Sequence, residues 1–144
     1  MATFVMYNAY LTVNTSGTSG SAIDLSDHVR SITLDQSVAM QDDTAMGDSV
    51  ASNSAGLESW TLTVEFLQDY AASKVDATIS GLVGVGKTTQ LIFRSDSGST
   101  AVTNPQWTGL GVVESYNPVA GSVGDQSMAS VVFQSAGALT RVTS

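Results

Sequence analysis

Gly81-Leu-Val-Gly-Val-Gly86-Lys87-Thr88 matches the GxxxxGK[ST] pattern of a phosphate-binding loop. In such a loop backbone N–H groups and the lysine cradle nucleotide phosphates. The chemistry requires a strand before the glycines and a helix directly after them, because the helix N-terminus holds the phosphates. Here the order is reversed. Helix-period residues precede the glycines, and the β-branched and aromatic run Thr88-Thr-Gln-Leu-Ile-Phe93 follows them. No later apolar strand ends in an Asp placed to hold magnesium. Gly81, Gly86, Lys87 and Thr88 are therefore expected to form a helix-to-strand turn that binds no nucleotide.

The other chemistry-bearing residues assemble no site. Asp42, Asp43 and Asp48 lack the spacing and the glutamate of a calcium loop. His28 is the sole histidine, and cysteine is absent, which removes disulfides, thiol nucleophiles and cysteine-ligated metals. There is no G-x-S-x-G elbow. Asn14-Thr15-Ser16 is a formal glycosylation sequon, but the start of the chain is not expected to be a secretion signal. Trp60 and Trp107 alternate with polar residues and are expected in a sheet core. No catalysis, cofactor or metal is expected.

The elements that would position these residues come from a chain of 144 residues, 42% hydrophobic, one domain's length. Its formal charge is −8, which argues against a basic nucleic-acid grip. Nearly all of that charge sits in residues 31–73. Asp35, Asp42, Asp43, Asp48, Glu58, Glu65 and Asp69 give −7 there with no Lys or Arg. Such a segment is either a solvated loop or a contact loop meeting a complementary surface on another subunit.

Alternation predicts strands over 3–13, 29–35, 88–94, 107–116 and 127–134. In the first, Phe4, Met6, Asn8 and Tyr10 face away from Tyr7, Ala9, Leu11 and Val13. Over 107–116, Leu110, Val112 and Tyr116 share a face, and Asn117-Pro118 ends the strand. Trp60, Leu62, Val64 and Phe66 give the cleanest apolar face. Ala71, Val75, Ile79 and Leu82 recur at helical spacing, which predicts one flanking helix over about 70–83, capped by Asp69 and left through Gly84 or Gly86. Residues 36–56 read as a long inter-strand loop. Val38, Met40, Met46 and Val50 are dotted through it, costly to leave wet, and suggest docking. One helix among many strands makes the sheet mostly antiparallel.

Four segments in combination resemble one family. They are Gly56-Leu-Glu-Ser-Trp60-Thr-Leu-Thr-Val-Glu65-Phe-Leu-Gln-Asp-Tyr70; Thr103-Asn-Pro105 with Trp107-Thr-Gly109; Val113 to Asp125 around Asn117-Pro118; and Ser130-Val-Val-Phe-Gln-Ser-Ala-Gly137-Ala-Leu-Thr-Arg141. From about Asp24 to Arg141 the chain resembles the major tail protein, or tail tube protein, of bacteriophages with long non-contractile tails.

The resemblance implies a mainly β, sandwich-like tail-tube domain over 1–144, with an N-terminal strand or arm 1–22 and a C-terminal arm 137–144. It implies a structural virion protein, not an enzyme, whose hexameric rings stack into the tube that delivers the viral genome. Implied partners are other copies of itself, the tape measure, tail terminator and distal tail or baseplate proteins, and passing DNA that is not specifically bound. No membrane partner is implied. The protein would be made and assembled in the host cytoplasm. The loop at 36–56 would reach the adjacent ring through Val38, Met40, Asp42, Asp43, Met46, Asp48 and Val50. Apart from the resemblance, the helix-before, strand-after order around residues 81–88 predicts that Lys87→Ala leaves assembly largely intact. Six copies at −8 carry −48 per ring, a charge that would repel DNA from a channel wall. The alternative is a non-catalytic β-domain of a fibre, adhesin or pilus-like assembly.

Overall fold

The computed structural model describes residues 3 and 5–144; Phe4, part of the expected first strand, lies outside the described residues. The strands are β1 (Tyr10–Asn14), β2 (Ala22–Asp24), β3 (Val29–Asp42), β4 (Asn53–Leu67), β5 (Thr89–Arg94), β6 (Gln106–Ala120), β7 (Met128–Ser135) and β8 (Thr140–Val142). One helix, α1 (Val75–Ile79), lies between β4 and β5. All strands join one antiparallel sheet in the order β2-β1-β5-β6-β7-β4-β3, with β8 beside the start of β6.

The apolar face expected at Trp60, Leu62, Val64 and Phe66 is buried throughout. Residues opposite one another in an antiparallel ladder share a face, so the register extends that face across four strands. One row runs Ile32–Val64–Val131–Tyr116 and the next Leu34–Leu62–Phe133–Val113. Leu11 and Val13 of β1 and Leu91 and Phe93 of β5 belong to the same buried cluster. The sheet therefore folds over itself across β6 to make a sandwich, with Val75, Ile79 and Leu82 from the helical segment adding to the core.

Trp60 fixes the fold at β6. Its indole N–H donates to the Gly137 carbonyl at 2.9 Å. Its ring lies against Gly109 and Gly111, where an added Cβ would come to 2.9 Å and 3.2 Å from ring carbons. Only glycine leaves room for the indole there.

Several expected boundaries are corrected. The first strand starts at Tyr10, and the described residues before it are not strand. On β6 the inward residues are Trp107, Gly109, Gly111 and Val113, not Leu110 and Val112; a bulge between Val113 and Ser115 then turns Tyr116 inward. Asn117-Pro118 does not end β6. It sits in a second irregularity before Ala120, where proline's missing donor falls in an already interrupted ladder.

The helix is far shorter than 70–83. Ser73 has φ +60°, a left-handed geometry that stops extension backward, and a 3-10 turn, Ser80–Leu82, follows α1. Asp69 does not cap it. Its side chain accepts from the Ala71 N–H at 2.9 Å and meets His28 Nε2 at 2.9 Å. His28 is thus half-buried, its ring held by a hydrogen bond to the Asp69 carboxylate. The chain leaves through Gly84 and Gly86, both at positive φ.

Candidate functional site

Two surfaces stand out, and the β3–β4 hairpin contributes to both. The first is the outer face of the β3–β4–β7–β6 layer. Its rows run Ser31–Glu65–Ser130–Asn117, Thr33–Thr63–Val132–Ser115 and Asp35–Thr61–Gln134–Val112. These rows hold two carboxylates, no Lys or Arg, and mostly hydroxyl and amide side chains. The groups bond across the strands: Thr61 Oγ1 donates to Gln134 Oε1 at 3.0 Å, Asn117 Nδ2 to Ser130 Oγ at 3.2 Å, and Gln134 Nε2 to Glu114 Oε2 at 2.5 Å. Glu114 at the bulge adds a third carboxylate. In the sequence, the odd-numbered Thr61, Thr63 and Glu65, alternating with the apolar face of β4, carry the signal of this polar side.

The second surface is the far end of the same hairpin. Residues 36–56 are not an irregular loop. The ladder continues from Gln36↔Trp60 to Asp42↔Asn53, leaving only 43–52 as the tip. β7 accompanies β4 no further than Thr61↔Gln134, so beyond the buried Trp60 the stretch 53–59 and its β3 partner project as a two-stranded arm of about 23 Å. Val38, Met40, Met46 and Val50 are all exposed on it, Met46 fully, and so is Leu57, which was not expected. Val38 and Met40 line a groove of about 680 Å³ with Trp60 and Leu139 at the arm's base.

The tip orders itself through its acids. Asp42 Oδ1 accepts from the Thr44 N–H at 3.0 Å, Asp48 Oδ2 from the Ala45 N–H at 2.7 Å, and Asp43 from the Ser54 hydroxyl. Thr44 Oγ1 accepts from the Ser52 N–H at 2.7 Å. Gly47 takes φ +96° at the turn. Hydrogen bonds from Thr44 hold the Asp42 carboxyl below its usual range, and those from Ser54 and Ser52 do the same for Asp43. Asp42 and Asp43 therefore keep their negative charge.

The lookalike phosphate loop is placed elsewhere. Gly81 lies in the 3-10 turn, Gly86 has φ +76°, and Lys87 and Thr88 are exposed just ahead of β5. The Thr88 carbonyl accepts from the Gly17 N–H at 2.8 Å. A five-residue helix precedes the glycines and a strand follows them. Asn14 of the formal sequon is buried, its Oδ1 accepting from the Ser16 N–H. Among the described residues no group of three or more His, Asp or Glu could hold a metal ion, and no helix is long and apolar enough to cross a membrane.

No family model matches the chain, and no curated protein matches it. Solved structures do. A chain in the virion of a native gene transfer agent particle superposes with a TM-score of 0.72 at 13% identity, covering 98% of this chain and 100% of that one. A chain in the tail of an empty gene transfer agent particle, refined with C6 helical symmetry, gives 0.70 at 16% identity, over 93% and 96% of the two chains. The SPP1 tail tube, solved by solid-state NMR and cryo-EM, gives 0.73 at 12% identity, covering 95% of this chain and 77% of that one. The mainly β sandwich with its short flanking helix is thus the fold found in these particle tails.

Proposed function

We propose that this chain is a structural tail-tube subunit: six copies form a ring, and rings stack into a hollow tube through which DNA passes. The observation that carries the proposal is the end-to-end match of its fold to subunits of a C6-symmetric tail and a tail tube. Two features support it independently. The projecting arm presents apolar residues that a free monomer has no reason to expose. The outer face built on Asp35, Glu65 and Glu114 suits a channel wall, because hydroxyl-lined, acidic rows that hold no cation repel phosphates and give DNA little to hold.

Edge closure fits the same reading. β3 is an outer strand of the sheet over fourteen residues, and pairing with a neighbour in the ring would remove that edge. The arm then reaches the adjacent ring through Val38, Met40, Met46 and Val50, with Asp42, Asp43 and Asp48 setting the charge of the contact. The subunit works without catalysis or cofactor. It acts in the virion after assembly in the host cytoplasm, beside a tape measure protein inside the tube and terminator and distal tail proteins at its ends.

Introducing cations on the channel face tests the reading. Glu65→Lys with Asp35→Lys should leave the subunit folded and able to form tubes, yet make those tubes retain added double-stranded DNA at low salt. Tubes whose channel face is unrelated to these two positions would show no change in DNA retention.

A further inference from the structure

The arm tip needs a receiving surface, and the cations narrow the choice. The chain has five Lys and Arg. Arg94 donates to Gln106 Oε1 at 2.6 Å and lies 3.9 Å over the Tyr10 ring. Arg141 lies over Trp107. Lys74 is half-buried and contributes to the field at Asp69. Arg30 shares its cleft with Asp125, so that site offers no net positive charge.

Lys87 differs. It is exposed on a projecting turn, with no ion-pair partner among the described residues. Val83 and Val85 on the same turn are also exposed, Val85 completely. Gly84 at φ +146° and Gly86 at φ +76° give that turn its sharp shape. The turn is thus a small apolar projection carrying one positive charge. The arm tip is its counterpart: exposed Met46 and Val50 among Asp42, Asp43 and Asp48, with no cation.

We infer that the Val83–Lys87 turn of one copy receives the arm tip of a second copy in the adjacent ring. The inference rests on the tube reading above and names the partner surface for its arm. Met46 and Val50 pack on Val83 and Val85, while the tip carboxylates face the Lys87 ammonium. The two patches are different surfaces of one chain, so the contact is heterologous and repeats from copy to copy without closing on itself. That is the geometry stacking requires. It also gives the residues of the lookalike phosphate loop a use, and departs from the expectation that Lys87 is dispensable.

The absence of cysteine makes the test direct. Met46→Cys and Val85→Cys are combined in the full chain, which is polymerised, oxidised and run on a non-reducing gel. Tubes carrying this contact give a ladder of covalent multimers, whereas either single variant stops at dimers. In parallel, Lys87→Glu should raise the concentration needed for tube formation about tenfold at low salt, and Asp48→Lys in the same chain should restore much of it. Tubes that form normally without a ladder, with Lys87→Glu polymerising like the parent, would overturn the inference and leave the tube reading standing. A parent chain that forms neither rings nor tubes at any concentration would overturn both.

Discussion

Phe66 lies at the base of the four-strand layer, directly opposite Ala129 on β7 and Val29 on β3, with no exposed surface. Replacing it with alanine removes the ring and leaves its volume behind. The lost transfer free energy is about 2 kcal/mol for a fully buried side chain of this class. The residual cavity adds about 1–3 kcal/mol, since neighbours held in ladders on both sides collapse only partly. The expected loss is therefore about 3–5 kcal/mol, a large part of a domain's stability. Thr63, three residues earlier, points to the opposite face between Thr33 and Val132 and is exposed. Its replacement by alanine should cost less than about 0.5 kcal/mol in the monomer. Urea unfolding of the two variants at a concentration below assembly gives the comparison. Equal midpoint shifts would refute the assignment of the two faces, and with it the polar wall built on the odd-numbered residues.

Other consequences can be checked separately. Gly109→Ala should destabilise the subunit by about 1–3 kcal/mol, because its Cβ would meet the buried Trp60 ring; near-parental thermal stability would show the ring can move. Asp42 and Asp43 have carboxyls lowered from the ordinary value of 3.8, so their contribution to tip order is full above that value and is lost as pH falls through the lower folded values. Tip amide shifts should therefore be flat from neutral pH to about 5 and change only in more acid solution, while a transition near neutrality would contradict the hydrogen-bonding scheme. Replacing residues 40–55 by a two-residue Asn-Gly turn should preserve the fold, since β7 pairs only from Thr61 onward, and should abolish stacking. Normal tubes from that variant would remove the arm from assembly. Calorimetry should detect no ATP or GTP binding; micromolar affinity that vanishes in Lys87→Ala would make the glycine turn a true phosphate loop.

What the sequence revealed depended on how strongly physics imprints a period. Trp60–Phe66 alternates large apolar with polar residues and was legible in full, as were β5 and β7. The arm was not. Its strands carry Ser, Ala, Gln, Asn and Gly on both faces, because neither face packs on this chain's own core, so no period of two marks them. β6 misled for another reason. Its inner face is built from Gly109 and Gly111 to admit Trp60, and a bulge then shifts the phase, so Leu110 and Val112 lie on the other face while Val113 and Tyr116 point inward. The helix stripe located the buried residues Val75, Ile79 and Leu82 correctly but could not register the left-handed Ser73 that cuts the helix short.

Electron microscopy of the purified full chain, concentrated stepwise, tests the central claim most directly. The account predicts hollow tubes built of stacked six-fold rings, with the Asp35–Glu65–Glu114 face lining the channel and each arm crossing a ring junction. Persistent monomers, or solid fibres without a channel, would contradict it.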